Sequence, residues 1–235
     1  MVRQPALPLE LRQSLQDHWP AFLLGNTAPD VQTITHQDRR STHFFDIPIF
    51  KGEPQPWERM FRRNPELTPW RLLPTEQAVF LLGYICHLRA DVVWVKKIFF
   101  PTFGPFAGWQ TMKQRLYLHN VLRSYLDYEL LPALPDNLGK VLGEAVPSNW
   151  LPFVDDSYLR EWRDFVSQQL LPGASVHTVE VFAARQGISP EEYYRLIQSE
   201  ERLNQEIFKR LPRQSLVDYK RQVLEDSVDL LVTIV

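Results

Sequence analysis

Histidine and aspartate side chains at helical spacing are the groups in this sequence best suited to chemistry. His87 and Asp91 are four residues apart in an otherwise largely apolar segment. An α-helix would place both on one face, one turn apart, where an imidazole and a carboxylate can bind a single divalent ion. A hydrogen bond between the two side chains, holding the helix in the core, would give the same pattern. The pair alone leaves both interpretations open.

Three further candidate ligands flank this pair in the sequence. Asp30 follows a Gly/Pro turn, and His43 lies in a long proline-rich segment. His119 lies midway along a second helical pattern. Two consecutive helices with a short connection are usually antiparallel neighbours, so we expect His119 to face His87 and Asp91. Aspartate is common in turns, and a lone core histidine is often only hydrogen-bonded, so the metal-site prediction depends on the combination.

Composition restricts such a site to nitrogen and oxygen ligands. Cys86 is the only cysteine of the 235 residues, which excludes a disulfide framework and a zinc site of several thiolates. The 26 Lys and Arg residues against 28 Asp and Glu give a net charge of −2, so charge provides no argument for nucleic-acid binding. We predict zinc as the cofactor, as one or two ions, with another divalent metal as the alternative.

An all-α fold, a multi-helix bundle, is expected to position these residues. The 19 prolines and 9 glycines disfavour many tight hairpins and favour helices with stiff connections. A long ordered loop region, residues 25–74, is expected between the first two helices, because prolines and aromatic residues recur there. We predict a metal-binding helical core over residues 1–132 and C-terminal helices over residues 133–235, packed on the same domain. Periodicity and capping predict helices over residues 8–24, 76–99, 109–131, 155–171, 176–186 and 190–210, and from 212 or 215 to near the end.

The sequence shows neither a signal peptide nor a predicted transmembrane segment. The first ten residues contain no apolar stretch of the kind that a signal peptide needs. The longest apolar run, residues 78–86, is less than half of the roughly 20 residues that span a bilayer. We therefore expect a cytoplasmic location.

In chain order, the motifs around these residues resemble the zinc-dependent phospholipase C family. They are Phe-Leu-Leu-Gly-x-x-Ala-Pro-Asp ending at Asp30, Thr-His-Phe around His43, Phe-Leu-Leu-Gly-Tyr-x-x-His-x-x-x-Asp ending at Asp91, and the helical His119. The resemblance covers roughly residues 15–130. It implies an all-helical fold, shared with zinc-dependent single-strand nucleases, and phosphodiester cleavage by a water activated between metal ions. Asp30, His43, His87, Asp91 and His119 match metal-ligand positions of that family.

The resemblance also indicates a divergent member. Secreted members carry a His-x-x-x-Glu pair on a late helix, whereas Arg123 follows His119 at that spacing here. They also bind metal through a mature N-terminal tryptophan, whereas this chain starts Met1-Val2. One or two ions are therefore expected rather than three.

The predicted function is metal-dependent hydrolysis of a phosphate ester, with a small phosphoester or a phospholipid headgroup as substrate. Asp30 is the predicted base that accepts a proton from the metal-activated water. Arg39 and Arg40 are candidates to bind the substrate phosphate, although a solvated pair on a loop would look the same. The alternative is a non-catalytic helical protein with a structural metal site or a His/Asp hydrogen-bond network. Its C-terminal helices would then form a partner-binding module.

Overall fold

Helices and short turns make up the fold, and no strand occurs in the described residues, which are 4–174 and 177–234 of a computed structural model. The all-α prediction is confirmed. The helices are α1 (Leu9–Asp17), α2 (Trp19–Gly25), α3 (Gln32–Thr35), α4 (Arg39–His43), α5 (Pro56–Arg63), α6 (Thr75–Trp94), α7 (Phe100–Phe103), α8 (Met112–Leu130), α9 (Leu138–Gly143), α10 (Asp156–Gln169), α11 (His177–Gln186), α12 (Pro190–Ile197), α13 (Glu200–Leu203) and α14 (Arg213–Ile234). The 3-10 turns are Ala28–Val31, Pro65–Leu67, Trp70–Leu72 and Leu131–Ala133, and π-helical turns occupy Val95–Phe99 and Asn204–Phe208.

Short helices divide the segment that the sequence predicts as a long ordered loop. Between α2 and α6 the chain forms α3, α4, α5 and three 3-10 turns. These helices have four to eight residues each, too few for an amphipathic repeat to stand out in the sequence. Local capping marks them instead. At the start of α5, for example, the backbone N–H of Gln55 donates to Oε2 of Glu58 over 2.8 Å, with Pro56 at the first helical position.

The longest predicted helices are present, with different ends. The amphipathic segment over residues 8–24 is two helices, α1 and α2, which meet at His18 just before Pro20. Proline lacks the N–H that a continuous helix would need there. The predicted helix over residues 190–210 is also divided, into α12, α13 and a π-helical turn, and here Ser199 caps the start of α13.

Helix α6 forms the centre of the molecule and carries His87 and Asp91. Its apolar side chains are buried on almost every side, against α2 and α14 among others. Helices α2 and α6 approach closely at two glycines. A Cβ on Gly83 would overlap the carbonyl oxygen of Phe22 and lie 3.0 Å from the backbone nitrogen of Asn26, and a Cβ on Gly25 would overlap the carbonyl oxygen of Phe80. Only glycine permits this separation.

One helical stretch, Thr75–Phe103, is long and apolar enough to cross a membrane by length and composition. In the fold, 72% of its apolar window is buried inside the protein. A central core helix meets the same criterion, so a membrane span is not shown.

The buried apolar side chains form two clusters. The first joins α1, α2 and α6 to α9, α10 and the end of α14, and the second joins α7 and α8 to α11, α12, α13 and the start of α14. The predicted boundary at residue 132 does not separate them, because α8 precedes it and packs with helices that follow it. The C-terminal helices are thus shared between both clusters.

Candidate metal centre

Three elements bring one aspartate and two histidines together. Asp30 lies in the 3-10 turn Ala28–Val31, His43 is the last residue of α4, and His87 lies on α6. The Oδ1 atom of Asp30 is 3.5 Å from Nε2 of His43, and its Oδ2 atom is 3.9 Å from Nε2 of His87. One ligand atom from each residue lies within 4.8 Å of the other two. These three side chains could hold one metal ion.

His87 presents a free nitrogen to this group. Its Nδ1 atom lies 2.7 Å from the backbone oxygen of Asn26, which can only accept, so Nδ1 carries the proton. The Nε2 atom then has a free lone pair. It is buried and has no hydrogen-bond partner among the described residues. A buried, unpaired imidazole nitrogen facing a carboxylate is the arrangement of a metal ligand, so the residues fit a divalent ion.

His43 is held in the same way by Thr42. Its Nδ1 atom is 3.0 Å from Oγ1 of Thr42, and that hydroxyl donates to the backbone oxygen of Arg39 over 3.3 Å. The hydroxyl therefore accepts from Nδ1, which leaves the lone pair of Nε2 for the site. Tyr84 of α6 donates to the backbone oxygen of Thr42 over 2.6 Å and fixes α4 against the central helix. Thr42 is a functional residue that was not predicted from the sequence, although it directly precedes His43 in the Thr-His-Phe motif.

The charge states of these residues suit metal binding. Burial lowers the pKa of His43, assisted by the charges of Arg39 and His87 and opposed by Asp30 and Asp91. His43 is therefore neutral at neutral pH. For Asp30, burial acts to raise the pKa, but the hydrogen bond that His43 would donate in its protonated form and the positive charges of His87 and Arg123 outweigh it and hold the pKa well below the usual range. Asp30 is ionised at neutral pH and is the most exposed of the three side chains, at 38%.

The turn that carries Asp30 is anchored from α10. The indole N–H of Trp162 donates to the backbone oxygen of Thr27 over 2.9 Å. Nothing in the local sequence around Asp30 indicates this contact, because 135 residues separate the two groups.

Asp91 and Arg39 lie at the edge of the group. The Oδ2 atom of Asp91 is 3.5 Å from Nε2 of His43, and the same oxygen forms an ion pair with Arg39. The guanidinium of Arg39 also lies 4.6 Å from the centre of the Phe45 ring. Arg40 instead pairs with Asp46 over 2.5 Å, and its side chain is 69% exposed. Within the described residues, the Arg40 side chain forms no hydrogen bond or ion pair with Asp30, His43 or His87.

The structure does not bring His119 into this group, contrary to the expectation that it faces His87 and Asp91. Its Nε2 atom accepts a hydrogen bond from the indole of Trp94 over 3.0 Å, and its ring contacts those of Phe99 and Phe103. The physical reason is that α8 packs on α7, α11 and α12, so aromatic side chains from the end of the long helical stretch surround it. Burial, with the charge of Arg123, lowers the pKa of His119 to about 3.

The fold and the site define an all-helical protein with a candidate histidine/aspartate site for a divalent ion. Residues 1–131, more than half of the chain, match the family model described as zinc dependent phospholipase C. The chain belongs to the zinc-dependent phospholipase C family, and both the resemblance seen in the motifs and the prediction of zinc as cofactor are confirmed. Neither the curated proteins nor the solved structures contain a match to the chain.

Proposed function

We propose that this protein is a metal-dependent, phospholipase-type hydrolase that cleaves phosphate esters at the site formed by Asp30, His43 and His87. The observation that carries the proposal is the buried, unpaired Nε2 of His87, which faces Asp30 beside the second imidazole. The exposure of Asp30 favours a catalytic over a structural ion, because structural zinc sites are closed by protein ligands whereas catalytic sites stay open on one side.

The proposed roles of the ligands follow from their charge states. His43 and His87 bind through Nε2, and Asp30 balances part of the charge through its carboxylate. A bound zinc ion would supply Lewis acidity, lowering the pKa of a water molecule and polarising a phosphoryl oxygen. Asp30 is the proposed acceptor of the proton that the attacking water loses. The water oxygen bonds to phosphorus, the ester P–O bond breaks, and Asp30 passes the proton that it accepted to the leaving oxygen, so the product leaves as a neutral alcohol.

Arg39 and Asp91 are proposed to act as a pair. Asp91 is close enough to His43 to be a fourth ligand, but to bind an ion it must exchange its ion pair with Arg39. That exchange would release the guanidinium, whose planar fork suits the oxygens of a phosphate ester. The stacking on Phe45 keeps Arg39 beside the site. One or two ions and a cytoplasmic location remain part of the proposal.

Zinc-dependent turnover tests this function. We expect the zinc-loaded protein to hydrolyse one or more chromogenic phosphodiesters, monoesters or phospholipids. The His87→Ala variant should fall to the background rate because it loses a buried ligand. His36→Asn is the matched control, since His36 is exposed at a φ of 56°, a conformation that asparagine tolerates.

Two results separate the alternatives. Loss of turnover in His87→Ala, with activity retained in His36→Asn, supports the proposal. A protein that binds zinc and hydrolyses none of these esters contradicts it and supports a structural metal site.

A further inference from the structure

A small cleft opens between the loop over residues 45–56 and the helical stretch formed by the end of α6 and the π-helical turn that follows it. Its volume is about 120 Å³. The loop side and the helix side each contribute apolar and cationic side chains. The residues lining it on these two sides include Phe45, Phe50, Lys51, Glu53, Val92 and Lys96.

Phe45 joins this cleft to the metal centre. Its ring lines the cleft, lies 6.4 Å from the His43 ring in an edge-on arrangement, and lies beneath the guanidinium of Arg39. On the helix side, Val92 lines the cleft and directly follows Asp91. A ligand that reaches from the metal centre into the cleft would pass the ring of Phe45.

The cleft carries unbalanced positive charge. Lys51 and Lys96 both line it, and neither forms an ion pair in the part of the chain that the structure describes. The carboxylate of Glu53 also belongs to the lining, but it is bound by Arg59 over 2.6 Å. Two ammonium groups are thus left for a ligand, on opposite walls of the cleft.

Local structure holds the loop wall in place without a ligand. Gly52, next to Lys51, has a φ of 85° and makes the tight turn at the loop tip that a residue with a Cβ would strain. The chain then passes through Pro54 and Pro56 into the capped start of α5. A loop restrained in this way loses less entropy when a ligand binds.

We propose that this cleft is a substrate subsite that binds a second anionic group next to the scissile phosphate. The inference rests on the proposed function and names its substrate class, which is phosphate esters that carry at least one further phosphate. Lys51 and Lys96 would hold the second phosphate, while Arg39 holds the group that is cleaved. Phe45 and Phe50 would contact the carbon skeleton between the two groups.

A pair of lipids that differ by one phosphate provides the test. We expect kcat/KM for phosphatidylinositol 4-phosphate to exceed that for phosphatidylinositol by about tenfold in neutral mixed micelles, as expected for charge-assisted hydrogen bonds to the extra phosphate. The double variant Lys51→Ala/Lys96→Ala should lose this preference. The control is Lys97→Ala/Lys113→Ala, which removes the same charge from exposed positions that do not line the cleft.

A binding measurement separates failure of the subsite from failure of the proposed function. Titration calorimetry with inositol 1,4-bisphosphate and inositol 1-phosphate requires no turnover. Tighter binding of the bisphosphate, lost in Lys51→Ala/Lys96→Ala and kept in the control, supports the subsite. If neither lipid is hydrolysed in that case, only the proposed function is contradicted. Equal binding of both ligands overturns the subsite. A lipid preference that the control variant loses to the same extent also overturns it, because that preference reports only the charge of the micelle surface.

Discussion

Each imidazole of the candidate metal centre is oriented by the group that its Nδ1 atom contacts. For His87 that group is the backbone oxygen of Asn26, and for His43 it is the hydroxyl of Thr42. Both contacts place the proton on Nδ1 and direct the Nε2 lone pair toward Asp30. Such outer contacts set the tautomer and the ring orientation of a metal-binding histidine and raise its basicity.

Replacement of Thr42 by valine tests this role at the residue scale. Thr42→Val keeps the shape of the side chain but removes the hydroxyl, so His43 can rotate and can carry its proton on either nitrogen. We expect zinc affinity to fall by about 10- to 100-fold, the usual cost of losing an outer-shell contact. Thr42→Ser keeps the hydroxyl and should retain most of the affinity. Competition with a chromogenic zinc chelator measures both, and unchanged affinity in Thr42→Val would show that the hydroxyl does not orient His43.

At the scale of elements, the crossing of α2 and α6 sets the distance between Asn26 and His87. Asn26 directly follows α2, and His87 is one turn beyond Gly83 on α6. The two helices can approach this closely because Gly25 and Gly83 carry no side chains. The same contact therefore serves the packing of the core and the orientation of a ligand.

Replacement of Gly83 by alanine is expected to disturb both the packing of α2 on α6 and the orientation of His87. The added Cβ would overlap the backbone of Phe22, which cannot move without shifting α2. We expect the free energy of unfolding to fall by about 3 kcal/mol, and zinc affinity to fall because Asn26 moves away from His87. Gly143→Ala on α9 is the matched control, since its Cβ would meet only the Ser167 hydroxyl, at 3.2 Å. Urea unfolding and zinc titration of both variants measure the effects. A Gly83→Ala protein as stable as the control would contradict the close approach of the helices.

On the scale of the whole molecule, the two histidine environments belong to different cores. Helix α6, with His87, packs in the first apolar cluster, whereas α8, with His119, packs in the second. His119 accepts the Trp94 hydrogen bond as a neutral side chain, and its pKa is lowered to about 3. An unfolded histidine titrates near its ordinary value of about 6.5.

This difference makes the stability depend on pH. Well above pH 6.5 His119 is neutral in both states and contributes no pH dependence. As the pH falls from 6.5 toward 3, the unfolded state binds a proton that the native state does not, so stability decreases. In metal-free protein, the free energy of unfolding should fall between pH 7.5 and pH 5. We expect this fall to be about 2 kcal/mol smaller in His119→Gln than in the wild type. Urea unfolding at both pH values, with chelator present, measures it. Parallel losses in the two proteins would refute the assignment of His119 as a neutral buried acceptor.

The class of the fold and the chemistry of the site could be predicted from local sequence. Spacing of four residues places His87 and Asp91 on one face of any α-helix, and the lack of thiolates leaves only imidazole and carboxylate ligands. The apolar residues around this pair in the sequence indicate that its helix is central, and this inference requires no information about the rest of the chain. The Asp30 and His43 motifs were identified because both occur in a recognisable order with the helical pair.

The tertiary structure decided which of the predicted residues come together at the site. Helical periodicity gives the face on which His119 lies but not the neighbour that this face meets, and α8 meets α7, α11 and α12. Asp91 has the right spacing to bind metal, yet its partner Arg39 is 52 residues away in sequence. The role of the Asn26 backbone oxygen leaves no signal in the sequence, because every residue has a backbone oxygen. Spacing along one element determines which groups can act together, whereas the packing between elements determines which of them meet.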